Sequence, residues 1–191
     1  MYRAVTLKVI ERGIDLGDEQ AWRQLFKQTR VDIVWQRGQF QVQLDGRDVT
    51  EAIRSPEVSG LVSEVSAIAA VRKKMVREQR RLAEGKNIVC EGRDIGSVVF
   101  PGAQLKIFLD CDLTERVKRR EREFKEAGRC QSGREVVMRN ILRRDRIDSH
   151  RFISPLRRMP DAILLDTTHL TIEDQVAIVC ALARQRGAGR A

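Results

Sequence analysis

Between Lys86 and Asp110 two short apolar runs bracket a loop of two glycines, two acids and an arginine, an order that few architectures accommodate. Asn87-Ile88-Val89-Cys90 is β-branched and too short for a helix, which predicts a buried strand over 87–91. Glu91-Gly92-Arg93-Asp94-Ile95-Gly96 follows, a loop whose glycines let backbone and paired charges approach a small polar ligand. After Pro101-Gly102, the run Leu105 to Asp110 reads as a second strand that leads into a charged helix. Strand, polar loop, strand and helix in that order is how open α/β sheets present ligand residues at their carboxyl edge. A lone Gly-Arg-Asp could simply close a surface turn, but the chain supplies further Arg/Asp constellations that a turn does not require.

With 191 residues, 42 % of them hydrophobic, the chain can bury the core of one domain, and with 5 % aromatic that core is aliphatic. Cys90, Cys111, Cys130 and Cys180 show no C-x-x-C spacing and no partnering histidine, which excludes a zinc site or a disulfide framework and suits a reducing, cytoplasmic setting. His150 and His169 are isolated, so no metal site is expected from them. No apolar run approaches the ~20 residues of a membrane span.

Charge is unevenly spread. Between Arg116 and Arg158 stand 15 Lys/Arg against 6 Asp/Glu, which accounts for the whole formal excess of +9. Such a segment either meets an anionic partner or forms a solvated helical face, and a solvated face rarely needs such one-sided charge.

Along the chain, residues 2–12 carry apolar positions at helical spacing and Gly13 terminates them, although Met1-Tyr2-Arg3 offers no cap. A second helix is expected after Asp18, covering Trp22, Leu25 and Phe26. From Val31 the period changes to two: Val31, Ile33 and Trp35 alternate, Arg37-Gly38 turns, Phe40, Val42 and Leu44 alternate again, and Asp45-Gly46 turns toward Val49. That predicts an antiparallel meander near 31–50, distinct from the buried strands. Ser55-Pro56 starts a helix to about Ala69, continued or restarted over 71–82, on which Ser63 and Arg72 read alone as surface residues. Helices over 112–127 and 134–151 flank a break at 128–133. The first places Arg116, Arg119 and Arg120 on one face, and the second places Arg144, Asp148 and Arg151 at i, i+4 and i+7. The latter spacing serves a phosphate or ribose clamp and an intrahelical salt-bridge ladder equally well. Residues 163–166 form a last buried strand, Thr171 caps a helix through Ala183, and the tail from Gln185 frays.

Glu91-Gly92-Arg93-Asp94-Ile95-Gly96-Ser97-Val98-Val99-Phe100-Pro101, the later Arg144-Asp145-x-x-Asp148-x-x-Arg151-x-x-x-Pro155-Leu156 and the opening Tyr2-Arg3-Ala4 together resemble the bacterial cytidylate kinases over essentially the whole chain. The resemblance implies one nucleoside-monophosphate-kinase-like domain over 1–191, with a P-loop-kinase-like parallel sheet and flanking helices. Residues 31–84 become the insert that closes on the monophosphate, and 113–152 the basic helical lid. It also implies transfer from ATP, with Mg2+, to CMP or dCMP. Arg3 and Arg93 would hold the CMP phosphate beside Tyr2, while Ser63, Arg72 and Asp94 would read the cytosine edge. Arg144, Asp148 and Arg151 would surround sugar and phosphate, and Arg116, Arg119 and Arg120 would act at the transferring phosphoryl group. A monomer acting on small molecules is expected, with no membrane and no nucleic-acid partner.

The family's G-x-x-x-x-G-K-[ST] loop, with the strand that carries it, does not occur in residues 1–191; Gly85-Lys86 has no glycine five positions earlier and is followed by Asn87. The expectation is that Met1 is an internal methionine of a longer kinase and that residues 1–191 alone transfer negligible phosphate. The competing reading is a nucleic-acid-binding protein using helices 116–158. Phe124 and Phe152 are the only aromatics in that segment, which argues against base stacking; a salt-dependent RNA shift would revive the reading. A non-catalytic nucleotide-binding remnant is the third.

Overall fold

A computed structural model of the chain describes residues 1–36, 38–126, 128 and 133–187. Arg37 of the expected hairpin turn, Ala127, residues 129–132 of the expected break and residues 188–191 of the tail lie outside these, as does Cys130. The described residues form two compact units, those within 1–92 with 150–155, and those within 93–149 with 156–187.

In the first unit, α1 (Tyr2–Glu11) and α2 (Glu19–Lys27) precede three antiparallel strands, β1 (Val31–Gln36), β2 (Gln39–Leu44) and β3 (Arg47–Asp48). α1 has no side-chain cap, whereas Asp18 accepts from the amides of Gln20 and Ala21 at the start of α2. The β1–β2 register pairs Val31 with Leu44, Ile33 with Val42 and Trp35 with Phe40, so one face of the hairpin is apolar from base to tip. The base is buried in the core and the Trp35–Phe40 pair, stacked edge to face, is exposed. Asp45 and Gly46 both take positive φ, 52° and 84°, the two-residue turn that joins twisted strands, and β3 returns along β2. A short 3₁₀ turn at Ala52–Arg54 leads to α3 (Pro56–Ala67), whose cap Ser55 accepts from the Val58 amide with Pro56 in the first turn. The chain then breaks at Ile68, in extended conformation, before α4 (Ala69–Ala83). Val5, Val9, Trp22, Leu25, Val65 and Met75 are among the buried residues of this unit's core.

In the second unit, β4 (Ile107–Asp110) and β5 (Ile163–Asp166) pair in parallel with Ile107 opposite Ile163 and Asp110 opposite Asp166, so their carboxyl ends coincide. Between them run α5 (Leu113–Glu126) and α6 (Arg134–His150), and α7 (Ile172–Gln185) closes the chain. Asp112 caps α5, accepting from the Thr114 and Glu115 amides, and these bonds hold its carboxyl below the usual carboxylate range. Asp174 is lowered likewise, first by the Thr171 hydroxyl. Because both folded values are depressed, the stability they contribute is present at neutral pH and lost as pH falls through the carboxylate range. Thr171 and Asp174 form a reciprocal capping box on α7. Thr171→Ala is expected to cost about 1 kcal/mol, measured by chemical denaturation, and an unchanged midpoint would deny the cap any weight.

Three expectations change. Residues 87–91 form no strand; Val89 is 98 % exposed, and no described residue pairs with this run. β-branched composition makes a segment strand-compatible, but a strand exists only through its ladder partner. Residues 163–166 form the expected strand but not a buried one, since Leu164 is 45 % exposed. Ser63 and Arg72, which read as surface residues, are buried. No helix among the described residues is long and apolar enough to cross a membrane.

Candidate active site

The residues expected to bind nucleotide fall into two groups, one in each unit. In the first unit α1 presents Tyr2 and Arg3, α3 presents Ser63 and α4 presents Arg72. Arg3 donates through Nη1 to the Ile53 carbonyl at 2.9 Å and to Ser59 Oγ at 3.0 Å, which fixes its direction from the first turn of α1. Arg72 is 2 % exposed; its guanidinium carbon stands 5.2 Å from the centre of the Tyr2 ring, and Nη1 donates to the Ser66 carbonyl at 3.0 Å. A buried arginine stacked on an aromatic face is held in one plane and presents its donors in a fixed direction, which suits recognition of a flat polar edge. Arg151, just beyond α6, folds its Nε onto the Ser154 carbonyl at 2.7 Å. Ser59 and Ser66, which orient Arg3 and Arg72, carry no sequence signal of that role because serine at a helical position is ordinary.

In the second unit Arg93 and Asp94 enter a π-helical turn, Ile95–Val99, in which the Val98 and Val99 amides both donate to the Asp94 carbonyl at 2.9 and 3.2 Å. π turns of one residue excess are common where a side chain must be re-aimed at a ligand. Asp94 is buried. Arg93 Nε lies 3.3 Å from Asp148 Oδ2 of α6, so the loop arginine and the helix carboxylate, 55 residues apart in number, come together. Arg144, one turn before Asp148, has its Nε buried with no hydrogen-bond partner. Burial pushes its guanidinium below the ordinary arginine value; the positive charges of Arg93 and Arg120 act in the same direction, while Asp148 and Asp145 oppose. A buried donor left open among like charges is an arrangement that an anion completes.

The three arginines on one face of α5 are each held differently. Arg116 makes a two-pronged pair with Asp145, at 2.6 and 3.0 Å, and that bond raises its pKa. Arg119 donates through Nη2 to the carbonyls of Thr167, Thr168 and Leu170 and through Nε to Glu115, so its fork ties α5 to the end of β5. Arg120 pairs with Glu123 at 2.5 Å and lies over the Phe124 ring, 4.4 Å from its centre. Asp145 as the holder of Arg116 is a role that sequence reading missed, its only signal being a carboxylate next to Arg144. Among the described residues no group of three or more His, Cys, Asp or Glu side chains could hold a metal ion, and Cys90, Cys111 and Cys180 are free.

A family model of cytidylate kinase matches residues 1–185. Curated relatives agree over nearly the whole chain. The cytidylate kinase of Carboxydothermus hydrogenoformans is 47 % identical over 177 residues, covering 93 % of this chain and 79 % of that protein. The cytidylate kinase of Caldanaerobacter subterraneus subsp. tengcongensis is 45 % identical over 189 residues, covering 99 % of this chain and 82 % of that protein. The cytidylate kinase of Lactobacillus gasseri is 41 % identical over 186 residues, covering 97 % and 80 % respectively. An arginine cluster with an open buried donor on a loop-and-helix frame, a parallel strand pair, an antiparallel meander and likeness along almost the full length lead to one conclusion: the chain belongs to the cytidylate kinase family.

Proposed function

We propose that the protein transfers a phosphoryl group from ATP to CMP or dCMP, giving CDP or dCDP. The observation that carries this reading is the open, buried Nε of Arg144 beside Arg93 and Arg120, within a chain of this family. Phosphoryl transfer needs little covalent work from the protein; it needs two nucleotides positioned in line and cations on charge that spreads over the moving group. By likeness to the family we assign Tyr2, Arg3, Ser63, Arg72, Arg93, Asp94, Arg144, Asp148 and Arg151 to CMP. Arg3, Arg93 and Arg144 suit the phosphate as bidentate donors, Asp148 suits a sugar hydroxyl, and Asp94 suits the exocyclic amine of cytosine as an acceptor. Arg116, Arg119 and Arg120 are assigned to the transferring phosphoryl group, for which Arg116 and Arg120 exchange a carboxylate for phosphate oxygens. Residues 31–84 serve as the monophosphate-binding insert and 113–152 as the lid. The family uses ATP with Mg2+ as co-substrate. Among the described residues no cluster of His, Cys, Asp or Glu side chains fits the ion. A cytoplasmic monomer is the setting proposed. The basic excess of the 116–158 segment is accounted for by substrate phosphates without a nucleic acid.

Calorimetric titration of residues 1–191 with CMP, dCMP, UMP and AMP tests the acceptor site. A coupled assay with ATP, on this chain and on an N-terminally extended form carrying a G-x-x-x-x-G-K-[ST] loop, tests transfer. Binding of CMP no tighter than UMP and AMP would overturn the reading. Asp94→Asn is expected to erode the preference for CMP over UMP by ~1–3 kcal/mol, because an amide can donate to the uracil carbonyl where the carboxylate repels it. An unchanged preference would return Asp94 to a purely structural part.

A further inference from the structure

The turn that carries Arg93 and Asp94 lies against a side chain so far assigned no part. Lys106, just ahead of β4, has a side chain only 8 % exposed, and its ammonium is anchored on Asp161 Oδ2 at 2.6 Å, ahead of β5. The Lys106 carbonyl accepts from the Ile163 amide, so the residue begins the β4–β5 ladder. Between backbone and ammonium, the hydrocarbon stem crosses the π turn at Gly96. A Cβ on Gly96 would stand 3.3 Å from Cδ, 3.4 Å from Cγ and 3.7 Å from Cβ of Lys106. A side chain there would force the stem to give by a few tenths of an ångström, so the turn packs closely on the methylenes of a lysine stretched between strand and ion pair. The Asp94 carbonyl receives both amides of that turn, so any shift of Ile95–Val99 moves Asp94.

We propose that Lys106 is a positioning residue for Asp94: its hydrocarbon stem, laid across Gly96 from the start of β4, braces the π turn and so sets the carboxylate that reads the base. The inference rests on the assignment of Asp94 to cytosine. The stem does the bracing and the ammonium only keeps it stretched, so methionine, with an unbranched chain of similar reach, replaces it.

Lys106→Ala, Lys106→Met and Asp94→Asn of the full chain are compared by CMP and UMP titration, and the lysine variants by amide hydrogen exchange at Val98 and Val99 relative to Val117 of α5. Lys106→Ala is expected to lower the CMP-to-UMP affinity ratio about tenfold and to quicken exchange at Val98 and Val99 by a similar factor, with Val117 unchanged. Lys106→Met is expected to keep both near the unsubstituted values, a rescue that a role through charge would not show. If Asp94→Asn loses the ratio and Lys106→Ala keeps it, the bracing role is overturned and the base reading stands. If Asp94→Asn keeps the ratio, the base reading is overturned and the inference with it. Should Lys106→Ala fail to fold, Gly96→Ala presses a methyl on the same stem. Faster exchange at Val98 and Val99 than at Val117 then supports the role, and uniform exchange overturns it.

Discussion

Asp45→Asn is expected to destabilise the protein by about 3–5 kcal/mol, and Lys8→Met by less than half of that, in urea unfolding of the full chain with the slope unchanged. Lys8 is an inward-facing lysine of α1 whose side chain is 4 % exposed. Its ammonium donates at 2.5 Å to the Gln28 carbonyl past the end of α2 and at 2.5 Å to Asp45 Oδ2 in the turn between β2 and β3. The other carboxylate oxygen accepts from the Arg30 amide at 2.8 Å, and the Asp45 amide donates to the Arg30 carbonyl at 2.9 Å. One ion pair thus joins α1, α2 and the meander. Asparagine tolerates the positive φ of position 45, so the substitution removes charge without straining the turn, and what it leaves is a buried ammonium facing only neutral acceptors. Removing the lysine instead leaves Asp45 partly exposed, with water and the Arg30 amide as partners, and methionine restores apolar packing. The asymmetry is the diagnostic. Equal costs, or a larger one for Lys8→Met, would show that the pair is held by packing alone.

Arg144→Met is expected to weaken CMP binding by about 1.5–3 kcal/mol, roughly tenfold to a hundredfold, while leaving the unliganded protein about equally stable. Without ligand the guanidinium is desolvated by burial and repelled by Arg93 and Arg120, with Asp148 and Asp145 opposing, and its Nε is left open, so losing it costs the free protein little or nothing. With a dianionic phosphate in place the same group supplies charge-assisted donors at short range, so losing it harms the complex. A loss of binding without a loss of stability distinguishes a ligand-binding arginine from a structural one, whose removal would lower both. Thermal unfolding and CMP calorimetry on the same preparation decide it, and a variant that binds CMP normally would remove Arg144 from the site.

Much of the local structure was legible in the chain. Asp18, Ser55 and Thr171 announced the starts of α2, α3 and α7, and each accepts an amide of its helix. The period-two run with Asp45-Gly46 announced the meander and its turn. Likewise, the pairing of the 93–94 loop with Asp148 belongs to motifs whose order already resembled the family. The partners of the arginines on α5 were less legible: their spacing put Arg116, Arg119 and Arg120 on one face, but did not tell that Arg119 donates to the carbonyls after β5 while Arg116 faces Asp145.

Sequence by itself determined what depends on neighbours within a few positions: caps, helical and alternating periods, the two-residue turn, the excess of charge between Arg116 and Arg158, and the motifs that mark the family. Tertiary structure alone decided what depends on residues far apart. Ser63 and Arg72, polar residues on helices, are both buried; the Tyr2 ring of α1 lies against the Arg72 guanidinium, which donates to the Ser66 carbonyl, and helical spacing cannot foresee a partner on another element. Residues 87–91 have the composition of a strand and no ladder, since a strand is a property of two segments and its sequence specifies only one of them. The open donor of Arg144 arises in the same way: whether a buried polar group is satisfied is settled by everything folded around it.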